Sequence, residues 1–555
     1  MRNAALSTLL FACVTILALH AMQPADADTQ LEQAKQALTG DHKDTDKART
    51  LLLNIVQNGK AEVRPVTLAW SYIYLGYIED RAKNREAALG WYQKVVALNS
   101  LDNSSVPIAN YGLKQPLDWL RHLDAPQQQQ QPQSAPKQQY GKAYTTQQPP
   151  AGVTLKHNLS AADRREHFED LWRLIDTNYA HFKLKAIDWT EVGHRYRAQL
   201  DALTGDDDFY LLMFHLVNEL KDTHSWLQGY KPPMLSTVPG MSIDMFNGRP
   251  YVLSGAKAGW EVLSVDGFTV ADKLESLRPY IPARSSERAF QRQAGRLLLA
   301  GDRDSAITVK LRSPEDKIET VQARRGAMAS PPPAQKAAFD LTRQRFVHFG
   351  KHPSGLGYIR IESFNGREEI ADEFDRALEA LRDSPGLILD IRENPGGYNQ
   401  SRIVGRLLQK RSLAIISYSR NGPKHDDLAR RESYLEPTGK WQYTGPVALL
   451  VNVGTGSAAD LFACQLRSAG RVVTIGTTTE GNLSGVAIYA VLPCGLVVRI
   501  SNGFISDAAE HPIEVNGNIP DIVVEPDIQD YLHGRDPVLQ RAADTILARV
   551  RAASP

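Results

Sequence analysis

The sequence predicts a multidomain α+β protein in which helical parts precede a core of the α/β type. Three apolar runs, LILD, VALLV and VVTI, each lead into a loop or helix between Gly386 and Gly485. Repeated strand-then-loop segments are typical of a parallel sheet, whose loops at the strand ends carry chemistry. An antiparallel pair is predicted after them, so we expect a mixed sheet. A length of 555 residues also favours several domains.

The composition excludes a broad electrostatic attraction to nucleic acid or to an anionic membrane. Lys and Arg together number 64 and Asp and Glu 63, and no basic block stands out. We therefore predict no nucleic-acid partner. The chain has no CxxC and no HExxH motif, so the prediction includes neither a metal nor another cofactor. Two cysteines outside the N-terminal segment, Cys464 and Cys494, could form one disulfide or none.

Residues 1–27 predict a signal peptide and hence export to the periplasm or the extracellular space. Arg2 precedes a largely apolar stretch, and the sequence Ala25-Asp26-Ala27 offers a small-x-small cleavage site. An N-terminal membrane anchor is the alternative, but the apolar stretch is short. We expect no stable membrane span after cleavage of the signal.

Residues 28–124 predict a helical module. Its segment WSYIYLGYIEDRAKNREAALGWYQKVVALN resembles a tetratricopeptide repeat, with Gly76 at the contact between paired helices and Ala88 as the small residue of the second helix. Such a module could dock a protein partner; a plain helical hairpin is the alternative. Residues 125–155 are rich in Gln and Pro and nearly lack aliphatic side chains, so we expect a flexible linker.

Residues 156–231 predict a second helical segment. It contains an apolar helix face in HFEDLWRLIDTNYAHF and a later apolar helix that ends near Lys221. His224 follows in the sequence DTHS, and a lone histidine in such a place is most often an ordinary loop residue. Residues 232–330 change to short strands and turns. One stretch there resembles the end of a PDZ-like module, and a small β-rich insertion is the alternative.

The α/β core is expected over residues 340–535, followed by a closing helix and tail over 536–555. Its candidate nucleophile is Ser457, which lies just before a helix predicted from Ala458. Backbone N–H groups at a helix start favour the negative charge that develops when a nucleophile attacks a carbonyl group. The alternative is that this serine has only the common structural role of a helix N-cap, and the two roles are compatible.

Seven segments of the chain occur together in an order that is characteristic of one enzyme family. They are FEDLWRLIDTNYAHFKLKAIDW, KDTHSWL, GYIRIESF, LILDIRENPGG, NVGTGSAADLFACQL, VVTIGTTTEGN and EVNGNIPDIVVEPD. The region from about Ala161 to Val550 resembles the S41 serine peptidases, which comprise the tail-specific or carboxy-terminal processing proteases and related tricorn-core proteins. The resemblance implies a serine peptidase with a polypeptide substrate.

The resemblance also implies roles for residues near the nucleophile. In the family, the catalytic serine lies three residues before an acid at a helix start, which matches Ser457 and Asp460. The oxyanion hole would use the backbone N–H of Ala458 and one from the NPGG turn, at Gly396 or Gly397.

The base must come from elsewhere in the chain. The processing-protease branch uses a lysine where this chain has Asn482, and an amide cannot accept the serine proton, so a Ser-Lys dyad is excluded. The tricorn-like branch implies His224 as the base, Thr223 in the place of an auxiliary serine, and Glu514 as the orienting acid. His511 is a weaker competing candidate. A catalytically silent S41-fold protein that binds peptides or acts as a scaffold is the alternative function.

Overall fold

The computed structural model describes residues 27–39, 44–58, 63, 65–98, 105–114, 116, 139–140, 143–146, 154–230, 235–326, 338–366, 368–485 and 487–553. The chain divides into two compact units, Met1–Ser134 and Ala135–Pro555. The predicted signal peptide, apart from its last residue, lies outside the described residues, as does most of the predicted linker. None of the described helices is long and apolar enough to cross a membrane.

The first unit contains five described helices that share one apolar core. They are α1 (Ala27–Thr39), α2 (Thr45–Asn58), α3 (Pro65–Arg81), α4 (Arg85–Leu98) and α5 (Ser105–Lys114). Gly76 of α3 faces the ring of Tyr92 of α4 so closely that a Cβ atom there would lie 2.4 Å from the ring. The Tyr92 hydroxyl donates a hydrogen bond to Asp80 at 2.7 Å. Glycine at position 76 therefore allows the two helices to pack.

The second unit is a mixture of helices and strands. Its helices are α6 (Ala161–Asn178), α7 (Trp189–Leu200), α8 (Asp206–Asn218), α9 (Val270–Leu277), α10 (Glu287–Arg296), α11 (Glu368–Ala380), α12 (Ser401–Gly405), α13 (Ala458–Ser468), α14 (Ile528–Leu532) and α15 (Pro537–Ala553). Its strands are β1 (Gln139–Tyr140), β2 (Ala143–Thr146), β3 (Trp226–Gln228), β4 (Ile243–Phe246), β5 (Arg249–Val252), β6 (Glu261–Val265), β7 (Phe268–Thr269), β8 (Ala306–Arg312), β9 (Ile318–Arg324), β10 (Thr342–Arg343), β11 (Val347–Lys351), β12 (Gly357–Ile361), β13 (Leu387–Asp390), β14 (Ser412–Arg420), β15 (Leu428–Leu435), β16 (Val447–Val451), β17 (Val473–Gly476), β18 (Ala487–Val491), β19 (Val497–Ser501), β20 (Gly503–Ser506) and β21 (Ile522–Val523).

A mixed seven-stranded sheet forms the centre of the core, in the order β10-β11-β12-β13-β16-β17-β21. The three apolar runs of the sequence are its strands β13, β16 and β17, which lie side by side in parallel. Alternate residues of these strands face opposite sides, as the period of a strand requires. Leu387 and Leu449 join the core under α11, α12 and α13. Ile388 and Leu450 join the core under α15.

A five-stranded sheet in the order β1-β2-β18-β19-β3 joins distant parts of the chain. The predicted antiparallel pair is β18 and β19. The segment predicted as a flexible linker, residues 125–155, contains β1 and β2, which extend this sheet through β18. Ala143 is fully buried there. The segment QYGKAYTT supplies the aromatic and threonine residues that favour strands, even though it is surrounded by glutamine and proline.

The segment predicted as β-rich forms a six-stranded sheet of β4, β5, β6, β8 and β9 with β7 paired to β6. Helices α9 and α10 pack on it around an apolar core of their own. A three-stranded sheet, β15-β14-β20, completes the second unit. Cys464 and Cys494 are both buried and unbonded.

Candidate active site

Ser457 lies at the junction between the loop after β16 and the start of α13. Its backbone angles are φ 55° and ψ −120°, a combination that residues with a side chain rarely adopt. The Ser457 side chain makes no capping hydrogen bond to the helix. The hydroxyl is therefore not used to cap α13 and can take part in other interactions.

His224 is brought to this hydroxyl from the helical region. Its Nε2 atom lies 3.0 Å from Ser457 Oγ, within the range of a hydrogen bond between a base and a nucleophile. The Asp222 carboxylate accepts the backbone N–H of His224 at 2.8 Å, and the Arg499 guanidinium donates to the His224 carbonyl. Main-chain contacts on both sides thus fix the position of the imidazole.

The surroundings of His224 keep its ring neutral over a wide pH range. Burial, followed by the nearby positive charge of Arg499, lowers the pKa of His224 to about 4, although the Asp222 carboxylate opposes the shift. A neutral imidazole has a free lone pair at neutral pH. Nε2 can therefore accept a proton from Ser457 without first losing one of its own.

The structure does not join Glu514 to His224 in the expected way. Glu514 Oε1 accepts a hydrogen bond from the Lys185 ammonium at 2.7 Å, while Oε2 has no hydrogen-bond partner. The Nδ1 atom of His224 also lacks a partner, and no hydrogen bond or ion pair links these two residues in the described part of the chain. Glu514 is fully buried, but its direct partner is a lysine.

Thr223 and His511 likewise have partners other than the imidazole of His224. The backbone N–H of Thr223 donates to Ser285 Oγ at 3.1 Å, and the Thr223 hydroxyl accepts from the backbone N–H of Ser285 at 3.0 Å. Thr223 therefore anchors the His224 loop to the β-rich segment. The His511 ring lies 3.2 Å from Asp507 and its side chain is 77% exposed. Its placement does not favour His511 as the competing base.

The two glycines of the NPGG turn differ in what their N–H groups can do. Gly396 approaches Ser457 so closely that an added Cβ atom would lie 2.6 Å from the Ser457 Cβ. However, the Gly396 N–H already donates to Asn394 Oδ1 at 2.9 Å. Gly397 has φ 136° and is exposed, and its N–H makes no hydrogen bond to the described residues. Of the two glycines, Gly397 is the one whose N–H remains available to donate, alongside the predicted donor Ala458 at the first position of α13.

Asn482, noted in the sequence only as a missing lysine, contacts the nucleophile directly. Its side-chain oxygen accepts the backbone N–H of Ser457. The neighbouring Asp460 carboxylate, fully buried in α13, accepts hydrogen bonds from the N–H groups of Gly481 and Asn482, the Thr479 hydroxyl and the Asn518 amide. The loop that follows β17 thus supports the strained backbone of Ser457.

A buried group of charged residues lies behind His224. One ligand atom each from His181, Asp222 and Glu514 falls within 4.8 Å of the others, which is the spacing of a metal site. The Lys185 ammonium, however, already contacts Glu514 and carries the positive charge that this group of acids requires. We therefore assign no metal ion to these residues.

Several of these residues had no signal in the sequence. Lys185 and His181 lie in AHFKLKAIDW, where nothing distinguishes them from surface residues. Arg499 belongs to the ordinary strand β19. Their roles arise from contacts between segments that are hundreds of residues apart, and a single sequence carries no record of such contacts.

Comparisons with known proteins agree with this architecture. The model of peptidase family S41 matches residues 355–524, and the model of the tricorn protease C1 domain matches residues 160–218. The chain is similar to tricorn protease homolog 1 of Streptomyces coelicolor, with 24% identity over 420 residues that cover 70% of this chain and 35% of the relative. It is also similar to a carboxyl-terminal-processing protease of Picosynechococcus sp., with 25% identity over 394 residues that cover 67% of this chain and 85% of the relative.

Solved structures show the same fold. Mature CPAF, complexed with lactacystin, superimposes with a TM-score of 0.59 at 15% identity, over 71% of this chain and 99% of that one. The chain spans only 35% and 37% of the length of two tricorn relatives, from Streptomyces coelicolor and Thermoplasma volcanium.

Proposed function

Since the chain belongs to peptidase family S41, we propose that it hydrolyses peptide bonds in polypeptides, with Ser457 as the nucleophile and His224 as the general base. The observation that carries the proposal is the 3.0 Å separation of His224 Nε2 and Ser457 Oγ. A hydroxyl is a weak nucleophile until a base removes its proton in the transition state. His224 is neutral at neutral pH and can perform this step.

In the proposed reaction, His224 Nε2 accepts the proton of Ser457 as Oγ attacks the peptide carbonyl carbon. The oxygen of the tetrahedral intermediate accepts hydrogen bonds from the N–H groups of Ala458 and Gly397. The imidazolium of His224 then donates its proton to the leaving amine, and an acyl group remains on Ser457. His224 then takes a proton from a water molecule as that water attacks the ester carbonyl. The imidazolium returns this proton to Ser457 Oγ as the carboxylic acid product leaves, which restores the free hydroxyl.

The charge that develops on His224 needs compensation. The Asp222 carboxylate, fully buried and bonded to the His224 backbone, raises the pKa of the ring against the effect of burial. We propose Asp222 as the nearest electrostatic support of the imidazolium. Glu514 contributes to this compensation indirectly, through its contact with Lys185, and not as a direct hydrogen-bond partner of the imidazole.

The proposal is tested by digestion of an unstructured polypeptide such as β-casein. The unmodified protein should produce peptides, and the Ser457→Ala variant should produce none above background. Ser468→Ala, at the last residue of the same helix, is the matched control and should cleave as the unmodified protein does. Full activity of Ser457→Ala would contradict the assignment. Failure of the unmodified protein to cleave would favour the silent, peptide-binding alternative.

The place of cleavage follows from the same digest. Two relatives are named carboxyl-terminal-processing proteases, and we propose that this chain also cuts near the carboxyl terminus of its substrate. Mass spectrometry of early β-casein products would then show loss of short C-terminal peptides first. Early cuts throughout the substrate would contradict this specificity.

We also propose export of the protein and a role for its helical unit in recruiting a polypeptide partner. The sequence pattern of residues 1–27 supports export. The separate apolar core of α1 to α5 supports a module with its own surface. Deletion of residues 28–124 should leave cleavage of a short peptide intact but slow the cleavage of a recruited protein, and equal loss of both would contradict the recruiting role.

A further inference from the structure

Lys185 lies outside the proposed Ser457–His224 pair, and the role assigned to it rests on the proposed function of that pair. We propose that Lys185 is a positioning residue for the catalytic base. Its buried ammonium holds the His224 loop against the turn that carries Glu514, and it supplies the positive charge that two buried carboxylates require.

Lys185 contacts the loop that carries His224. Lys185 Nζ donates to the backbone carbonyl of Lys221 at 2.6 Å. Lys221 has φ 46°, a left-handed conformation that is unfavourable for a residue with a side chain and persists only where its surroundings hold it. Asp222 follows immediately, and its carboxylate binds the backbone N–H of His224. The lysine therefore secures the turn from which the base projects.

Lys185 is also linked, through Glu514, to the residues that support the backbone of Ser457. Lys185 Nζ donates to Glu514 Oε1 at 2.7 Å, and both side chains are nearly inaccessible, at 3% and 0% exposure. The next residue, Val515, donates its backbone N–H to Gly481 at 2.8 Å. Gly481 precedes Asn482, whose side chain accepts the backbone N–H of Ser457. One ammonium group thus connects the base and the nucleophile through the backbone on each side.

Lys185 also balances the charge of buried carboxylates. Asp222 and Glu514 are both fully buried, and burying two carboxylates without a cation is strongly unfavourable. The charged and titratable groups that act most strongly on the pKa of His224 are Arg499, Asp222, His181 and Lys185, in that order. Of the two basic residues among them, Arg499 and Lys185, Lys185 is the one that contacts both the His224 loop and Glu514. Its charge lowers the pKa of His224.

The test uses variants of the full chain and the pH profile of β-casein cleavage. Lys185→Met should lower kcat roughly 100-fold, since small misplacements of catalytic groups have effects of this size. The pH at which activity falls on the acid side of its profile, the acid limb, should also move higher, because loss of a cation near His224 raises the pKa of the imidazole. If Lys185 had a purely structural role, the variant would lose activity but the acid limb of its pH profile would not move. Lys183→Met, which removes an exposed lysine paired with Asp426, should change neither.

A double variant separates the two roles of the ammonium. Lys185→Met/Glu514→Gln lacks the connection but leaves no unpaired carboxylate at position 514, so it should keep the low kcat while its acid limb returns toward the original position. This variant also carries the test if Lys185→Met fails to fold. An unchanged kcat in the folded variants, or the same limb position in the single and double variants, would overturn the proposal. Activity in Ser457→Ala would instead overturn the proposed function, so the two failures are distinguishable.

Discussion

The Nε2 atom of His224 and the Oγ atom of Ser457 are 3.0 Å apart, although 233 positions of the chain separate the two residues. His224 comes from the loop before β3, and Ser457 comes from the loop between β16 and α13. The site therefore forms only when the helical region packs on the α/β core. Loss of either side of this contact should abolish catalysis.

The first prediction concerns the base. His224→Gln removes the proton acceptor but keeps a polar side chain of similar length, so kcat for β-casein should fall by roughly 10³-fold or more. His511→Gln is the control, because that ring is exposed and bonded to Asp507, and its kcat should not change. Equal losses in both variants would contradict the assignment of the base.

The second prediction concerns the pH dependence of the unmodified protein. The base must be unprotonated, and burial together with Arg499 lowers the pKa of His224 to about 4. Activity should consequently persist through pH 5 and fall only as the pH drops through about 4. A profile of kcat/KM against pH measures this directly. An acid limb near the ordinary histidine value of 6.5 would show that the surroundings do not shift His224 as described.

The third prediction concerns Asn482 and the backbone of the nucleophile. Asn482→Ala removes the acceptor of the Ser457 N–H, so the strained turn should lose support and kcat should fall roughly tenfold while KM changes little. Asn516→Ala removes an exposed amide that donates to the Pro512 carbonyl and is the matched control. A rise in KM with unchanged kcat would place Asn482 in substrate binding.

The fourth prediction concerns the strain at Ser457. Glycine adopts φ 55° and ψ −120° far more readily than alanine does. Ser457→Gly should therefore have a free energy of unfolding about 1 kcal/mol higher than Ser457→Ala. Urea denaturation of the two inactive variants gives this difference without any effect of catalysis. Equal stabilities would show that the serine backbone stores no strain.

The fifth prediction concerns Asp460. Burial raises the pKa of its carboxyl group from 3.8 to about 7 despite four hydrogen-bond donors. A folded pKa above the unfolded one means that the contribution of Asp460 to stability is fully present below about pH 4 and is lost as the pH rises through 7. The difference in unfolding free energy between the unmodified protein and Asp460→Asn should fall over this range. A difference that rises with pH would contradict it.

The parts of the structure that follow from local pattern could be predicted from the sequence. The apolar runs of β13, β16 and β17, and the small residues before α13, identify a parallel core with Ser457 at a strand end. The hairpin of β1 and β2 was not predicted, because its glutamine-rich surroundings conceal a short strand-forming segment. Its placement depends on the edge of β18, which is some 350 residues away.

The site was harder to predict than the fold because its contacts are long-range. Resemblance to the family supplied His224 as the base, since composition alone gave no reason to choose it. Resemblance also suggested a contact between Glu514 and His224, whereas the structure pairs Glu514 with Lys185. An internal cation of this kind is not visible in a sequence, because its meaning depends on which carboxylates surround it after folding.

The most direct test of the Ser457–His224 pair is covalent labelling by a fluorophosphonate, which reports the activated hydroxyl independently of any substrate. Mass spectrometry of the labelled, folded protein should show one phosphonyl adduct, located on Ser457, and His224→Gln should slow its formation at least roughly 100-fold. No adduct on the folded protein, or equal labelling rates in the two proteins, would contradict a nucleophile activated by His224.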